Sequence, residues 1–365
     1  MSSYCYSHLC SYENLYLAYK KARKGKTLKK YVIDFEDNLE DNLKRLQNEL
    51  RFHIYKPCPL QTFILRDPKT RTINKSAFRD RVVHHALCNV IAPTLEQSFI
   101  FDSFANRKGK GTFKAIERFE TFCRKVSSNY TKNTFVLKAD IKKYFEYVNH
   151  CVLLNILRKK ITDERILWLI QLILKHYKTK QFRRGMPLGN LTSQFFANVY
   201  LNELDQFVKH KLRVKYYIRY VDDFVIVHNS PKFLQHLMKK IDTFLKVKLQ
   251  LELHPQKSRI IPLRDGTEFL GMRIFPYHRL LKEKNLRKFY RKMKEVYSDF
   301  ENGLIEYDAV YDLFEGWCAY AKNASTFKLR KKILNEFDRK FAAEISTKEV
   351  NRMMRSLWSL LAIST

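Results

Sequence analysis

Two strand-forming runs, YYIRY at 216–220 and FVIVH at 224–228, are separated only by Val221-Asp222-Asp223. β-Branched and aromatic residues on both sides of so short a break leave the chain one economical solution, a tight antiparallel hairpin with acids at its tip. Taken alone, Asp222-Asp223 reads as an ordinary turn, because aspartate is common there. The setting changes that reading, since acids flanked by strands this apolar stand on a rigid, largely buried support. A second run of the same kind, FVLKADI at 135–141, ends on an acid, Asp140. It passes through KKYFEY into an apolar stretch from Val152 to Leu174 with helical spacing. If this strand lies beside the hairpin in one sheet, three carboxylates form one cluster.

Clustered carboxylates suit hard divalent cations. Magnesium takes oxygen ligands and keeps several waters, so a few aspartates plus substrate phosphates complete its shell. Two such ions roughly 3.5–4 Å apart activate a hydroxyl and neutralise a departing pyrophosphate. The charge balance names the class of substrate: 69 Lys and Arg against 37 acids give a formal net charge of +32, whose field attracts polyanions. A basic ribosome-associated or membrane-surface protein would share this balance. Here, however, the cations run through well-patterned segments with 14% aromatics rather than through low-complexity tails.

Asp140 with Phe145 five residues on, Tyr220-Val221-Asp222-Asp223, and Phe269-Leu270-Gly271 resemble, in this order, the palm motifs of reverse transcriptases. The resemblance covers roughly residues 60 to 330 and includes KTR at 69–71, FRDRVVHHAL at 78–87 and SFANRKGKGT at 103–112. It implies an RNA-directed DNA polymerase with an α/β right-hand fold. The N-terminal helices and fingers would span 1–134, and a palm with an antiparallel sheet 135–278, with a helical insertion near 151–184. A basic helical thumb and tail would fill 279–365.

The resemblance also implies roles. Asp140, Ile141, Asp222 and Asp223 would hold two Mg2+ ions, with Mn2+ as a substitute. Asp140 and Asp222 would ligate both ions, and Asp223 would support the cluster. Lys69 and Arg71 would contact the triphosphate of the incoming dNTP, a task for a lysine point charge and an arginine fork; a solvated hairpin tip is the competing reading. Phe145 would be the gate that rejects a 2'-hydroxyl, against plain core packing as the alternative. Lys257, in HPQKS, would protonate the leaving pyrophosphate. Phe269, Leu270 and Gly271 would form the primer grip, where glycine permits close approach of backbone to substrate.

GMPLGNLTSQFFANVYLNELD at 185–205 narrows the resemblance further. Many relatives carry glutamine before Gly189, and Leu188 stands there instead, as in reverse transcriptases of diversity-generating retroelements. In that family the apolar residue accompanies error-prone copying of template adenines. An amide removed from beside the nascent base pair takes away a hydrogen bond that holds template and nucleotide in register. Glu146-Tyr147-Val148-Asn149 departs from the Pro-Ser-Ile-Asp of many relatives. The implied partners are template RNA, primer or cDNA, a retroelement or noncoding RNA, and a small basic accessory variability protein. An antiphage reverse transcriptase working with a noncoding RNA is an alternative, and a non-catalytic RNA chaperone or splicing factor is another of a different class. Binding alone would not require Asp140, Asp222 and Asp223 together.

Elsewhere the spacing predicts surface helices over Tyr12–Leu50, a hairpin over Phe63–Ile73 turning at Asp67-Pro68, and a helix from Phe78 that ends or bends near Pro93. His84 and His85 point to different faces of that helix, which favours structural roles over a shared metal. Seven cysteines without a C-x-x-C pair predict reduced thiols. The N-terminus lacks a signal-like apolar core, and no stretch is long enough to cross a bilayer, so the expectation is a cytoplasmic protein; the resemblance implies a prokaryotic or phage-encoded one.

Overall fold

The computed structural model describes residues 5–66, 70–177, 179 and 182–361, the side chains of 356–361 excepted. The chain divides into two compact units, one formed by residues up to Phe122 with Phe135–Ile260, the other by Cys123–Thr134 and the residues from Ile261 onward.

The first unit begins with α1 (Tyr6–Leu9), α2 (Tyr12–Arg23), α3 (Lys30–Glu36) and α4 (Leu39–Arg51). The Ser11 hydroxyl caps α2 by accepting the Asn14 N–H at 3.2 Å. Leu15, Ala18, Tyr19 and Ala22 recur at helical spacing and are buried. An antiparallel hairpin follows, β1 (Gln61–Leu65) with β2 (Arg71–Lys75), Leu65 lying opposite Arg71. Its expected turn at Asp67-Pro68 and the cation Lys69 lie outside the described residues.

Next is α5 (Phe78–Glu96), which carries Pro93 inside it and runs on for another turn. The expected end or bend near Pro93 corresponds to a helix that ends three residues on, at Glu96: Ile91 and Leu95 are buried on either side of the ring, and their packing carries the helix past the lost backbone donor. His84 is buried and His85 half-buried, and burial lowers their pKa values to about 3 and about 4, so both are neutral packing groups.

After α6 (Thr112–Val126) come β3 (Phe135–Asp140), α7 (Tyr144–Tyr147), α8 (His150–Arg158) and α9 (Glu164–His176). The apolar stretch Val152–Leu174 is two helices, not one. Asp163 accepts the Arg165 N–H at 3.0 Å, and this cap starts a new helix where the sequence had suggested continuity. α10 (Leu191–Gln206) passes through a π turn at Phe207–Lys211 before the hairpin β4 (Tyr217–Tyr220) and β5 (Asp223–His228). α11 (Pro231–Phe244) follows, and β6 (Arg259–Pro262) completes a four-stranded sheet in the order β4-β5-β3-β6. β5 is central and antiparallel to both β3 and β4. Ile218, Val225, Val227, Val136 and other sheet residues are buried, as β-branched runs between covering layers must be.

The second unit holds a small antiparallel sheet, β7 (Thr267–Phe269), β8 (Met272–Ile274) and β9 (Arg279–Leu281). Four helices follow: α12 (Glu283–Glu301), α13 (Tyr307–Ala321), α14 (Phe327–Lys340) and α15 (Thr347–Leu361). Its core is aromatic, with Phe289 stacked on Trp317 and Phe314 on Phe337, each at 3.9 Å between ring centres. Among the described residues no helix is long and apolar enough to cross a membrane. All seven cysteines carry free thiols.

Candidate active site

The register of the central strands assembles the acids. β3 pairs with β5 so that Asp140 lies opposite Asp223, and β4 pairs with β5 so that Tyr220 also lies opposite Asp223. Val221 and Asp222 are then the two turn residues, and the Ile141 N–H donates to the Asp222 carbonyl at 3.3 Å. The strand adjacency that sequence alone left open is thus present.

Val221 takes φ +54°, a left-handed conformation that β-branched residues seldom adopt. The chain leaves β3 through an antiparallel bridge between Ile141 and Leu253, and the Asp140 carbonyl accepts the His254 N–H at 2.7 Å. That same turn brings the Lys257 ammonium to 3.3 Å from the Asp140 carboxylate.

The three acids bear on one another electrostatically. Asp222 is pushed up to about 6 by burial, then by the negative charges of Asp140 and Asp223, with Lys257 acting the other way. Hard carboxylate oxygens in mutual repulsion are a donor set that divalent ions fit. Among the described residues no group of three or more His, Cys, Asp or Glu side chains forms a ready cage. Magnesium, which keeps its own waters and borrows substrate oxygens, needs none.

The other singled-out residues fall into three places. Phe145 lies on the short α7, half-buried, with its ring 5.4 Å from the ring of buried Tyr144. The Phe145 carbonyl accepts the Met186 N–H at 2.7 Å, which laces the gate candidate to the loop carrying Leu188. Leu188 is half-buried, and its carbonyl accepts the Asn74 N–H of β2 at 3.1 Å. At Gly189, with φ +105°, a Cβ would lie 2.8 Å from the Ile73 methyl, so glycine is required where the loop crosses β2. Arg71 is exposed at the start of β2, and the loop of Leu188 is thereby tied to the strand that carries Arg71.

Phe269, Leu270 and Gly271 belong to the second unit. Phe269 is buried, while Leu270 and Gly271, both at positive φ, turn the chain from β7 to β8. The Tyr320 hydroxyl donates to the Gly271 carbonyl at 3.2 Å, and a Cβ at Gly271 would lie 3.0 Å from the Tyr320 hydroxyl oxygen.

Sequence reading missed two groups. Asn190, buried, accepts the N–H and hydroxyl of Ser76 and donates to the Asn74 carbonyl, fastening the base of the β1–β2 hairpin. Arg219, fully buried, is bound to Asp205, Asn198, Ser103 and the Val221 carbonyl. A charged residue in the middle of YYIRY was the available signal, because a buried charge must be paired.

Residues 66–274 match the family model described as "Reverse transcriptase (RNA-dependent DNA polymerase)". The chain is 26% identical over 293 residues to Protein YkfC of Escherichia coli K12, covering 70% of this chain and 74% of that one. It is 25% identical over 262 residues to the group II intron-encoded protein LtrA of Lactococcus lactis subsp. cremoris, covering 68% of this chain but only 42% of LtrA. The apo telomerase of Candida tropicalis superposes with a TM-score of 0.50 at 12% identity, over 76% of this chain and 59% of that chain. That likeness concerns the fold, an α/β right-hand polymerase with antiparallel sheets and helices.

Proposed function

The chain belongs to the reverse transcriptase family and to the enzyme class of RNA-directed DNA polymerases, and from that premise we propose that it copies an RNA template into cDNA at Asp140, Asp222 and Asp223. The observation that carries this reading is the register that sets Asp140 opposite Asp223, with Asp222 at the adjoining turn. Asp140, the Ile141 carbonyl and Asp222 hold two Mg2+ ions, which Mn2+ replaces, and Asp223 supports them. When bound, the ions activate the primer 3'-hydroxyl and neutralise charge on the departing pyrophosphate.

The residues around the acids divide the remaining tasks. The Lys257 ammonium, beside Asp140, delivers a proton to the leaving group. Arg71, from β2, grips the triphosphate of the dNTP, and Lys69 is assigned the same task. Phe145 closes the space a 2'-hydroxyl would need, and the turn Leu270-Gly271, backed by Phe269, steadies the primer. In this reading residues 1–134 are an N-terminal helical segment and the fingers, 135–278 the palm with its helical insertion, and 279–365 the thumb and tail. The duplex is held through its phosphates by the excess of Lys and Arg, so binding weakens steeply with salt.

Leu188 supports a narrower reading. An apolar side chain beside Gly189, on a loop tied to β2, leaves the template base without an amide partner. The enzyme is then of the diversity-generating type, error-prone opposite template adenines, working with a retroelement RNA, a small basic accessory protein and dNTPs. The likeness to an intron-encoded protein favours a second reading, an intron maturase that binds its RNA for splicing.

Magnesium-dependent extension of a DNA primer on RNA, compared with Asp222→Asn and followed by sequencing, separates these readings. Extension lost in the variant, with errors gathered at adenines, supports the diversifying enzyme. Accurate extension supports a reverse transcriptase of another type, and RNA splicing retained in Asp222→Asn without wild-type extension supports the maturase.

A further inference from the structure

Arg219 is the largest fully buried side chain of the protein among the described residues, and it sits two positions before the turn that carries Asp222. Its guanidinium is used on every edge. Nε and Nη2 donate to the two oxygens of Asp205 at 2.8 and 2.6 Å, and Nη2 also donates to the Ser103 hydroxyl at 3.2 Å. Nη1 donates to the Asn198 side-chain oxygen at 3.2 Å and to the Val221 carbonyl at 3.0 Å. The backbone is held as firmly: the Arg219 N–H donates to the Asp102 carbonyl, and its own carbonyl accepts the Phe104 N–H, both at 3.0 Å.

Two facts set this network apart from ordinary core packing. A buried ion pair gives little stability over an apolar pair of similar volume, so stability alone does not account for its presence. Among the described residues the backbone group that its guanidinium grips is the carbonyl of Val221, a β-branched residue at φ +54°, and such a conformation persists only where the surroundings over-determine it.

We propose that Arg219 is a positioning residue: by holding the Val221 carbonyl it fixes the peptide that leads into Asp222, and so sets the aim of that carboxylate toward its metal ions. This rests on the reading of Asp222 as a metal-holding group. Only an arginine fork meets the requirement, since one edge is consumed by Asp205 and the remaining nitrogen must still reach the turn. A lysine in its place satisfies Asp205 as a point charge and leaves the turn unheld.

The test compares Arg219→Lys, the double variant Arg219→Met/Asp205→Leu, and Tyr217→Phe. Tyr217 donates to Asp205 at 2.8 Å but does not touch the turn, so its variant loosens the same network without releasing Val221. The double variant removes both charges together and spares the fold an unpaired buried acid. Thermal melting reports folding, Mn2+ titration followed by electron paramagnetic resonance reports metal affinity without turnover, and primer extension across dNTP concentrations at fixed Mg2+ reports kcat and KM for dNTP.

The double variant is expected to fold, to bind Mn2+ about tenfold more weakly, and to lose on the order of 10²-fold in kcat with KM for dNTP little changed, the scale at which misplacement acts. Arg219→Lys follows in the same direction, and Tyr217→Phe lowers the melting temperature while keeping wild-type metal affinity. Wild-type metal affinity and kcat in a folded double variant, or in Arg219→Lys should the double variant not fold, overturn the proposal. So does a metal defect in Tyr217→Phe equal to that of the arginine variants. Wild-type Mn2+ binding that Asp222→Asn abolishes, without any primer extension, would sink the polymerase reading and leave the positioning role standing.

Discussion

The hairpins β4–β5 and β1–β2 are both antiparallel, yet they are held in opposite ways. Tyr217, Ile218 and Arg219 of β4 and Phe224 to Val227 of β5 are buried, and the turn between the strands is bonded from below by Arg219. β1 is exposed along its whole length, with Phe63, Ile64 and Leu65 open to solvent. Its partner β2 is fastened near its end by Asn74, Ser76 and Asn190. In the proposed reading the acids share ions, and carboxylates with that task must be fixed to a fraction of an ångström, which a turn backed by sheet and core provides. A group that follows an arriving and departing substrate gains from a support anchored at one end.

The largest effect that tests this contrast is at the clamped turn. Asp222→Asn should lower primer extension by about 10⁴-fold or more, the scale of several kcal/mol of transition-state stabilisation supplied through ions. Its melting temperature should not fall, because the substitution removes a half-buried charge repelled by Asp140 and Asp223. Extension within tenfold of wild type would break the assignment of the clamped hairpin to catalysis.

Next comes stability, read by urea unfolding. Ile226→Ala in β5 should cost about 2–4 kcal/mol through cavity formation, whereas Ile64→Ala in β1 should stay within about 0.5 kcal/mol. Equal losses would erase the difference between the hairpins.

A pH dependence sharpens the contrast from the electrostatic side. Asp222 has its folded value raised from 3.8 to about 6, so between those values the folded chain holds a proton that the unfolded chain has released. Metal-free stability should therefore fall as pH rises from about 4 to about 6, by up to about 3 kcal/mol. The slope should vanish in Asp222→Asn and flatten when Mg2+ is added. A slope of the same size in the variant would place its origin elsewhere.

The smallest effect belongs to the open hairpin. Arg71→Ala should raise KM for dNTP about tenfold with kcat nearly kept, as the loss of one exposed charge contact requires. A fall in kcat with KM unchanged would place Arg71 with the clamped hairpin instead.

The acids were legible because their chemistry is local: Asp140 ends a strand, and Asp222 follows one after a single residue. What joins them was only partly so. The adjacency of β3 and β5 is a pairing across more than eighty residues, and sequence could state it only as a condition. Leu188 was visible as a departure from glutamine, but its tie to Asn74 was not, since hydrogen bonds between Asn190 and residues 114 to 116 positions away leave no periodic trace. Pro93 marked the last turn of α5 and not its last residue, because burial of its neighbours carries the helix three residues further. The break before α9 was missed although Asp163 had the composition of a cap, because apolar spacing on both sides hid it. Arg219 was in plain sight within YYIRY, and its meaning needed the partners that only the fold supplies.

The pairing of Asp140 with Asp223 has a consequence at the level of a preparation rather than a molecule. Side chains alternate along a strand, so a slip of β3 by one residue against β5 would turn Asp140 to the opposite face along with every apolar residue of the strand. No graded version of the site exists between the two arrangements. A batch with half the specific activity should then be a mixture of fully competent and silent molecules, distinguishable by counting active sites in a single-turnover burst, and not a uniform population of slow ones.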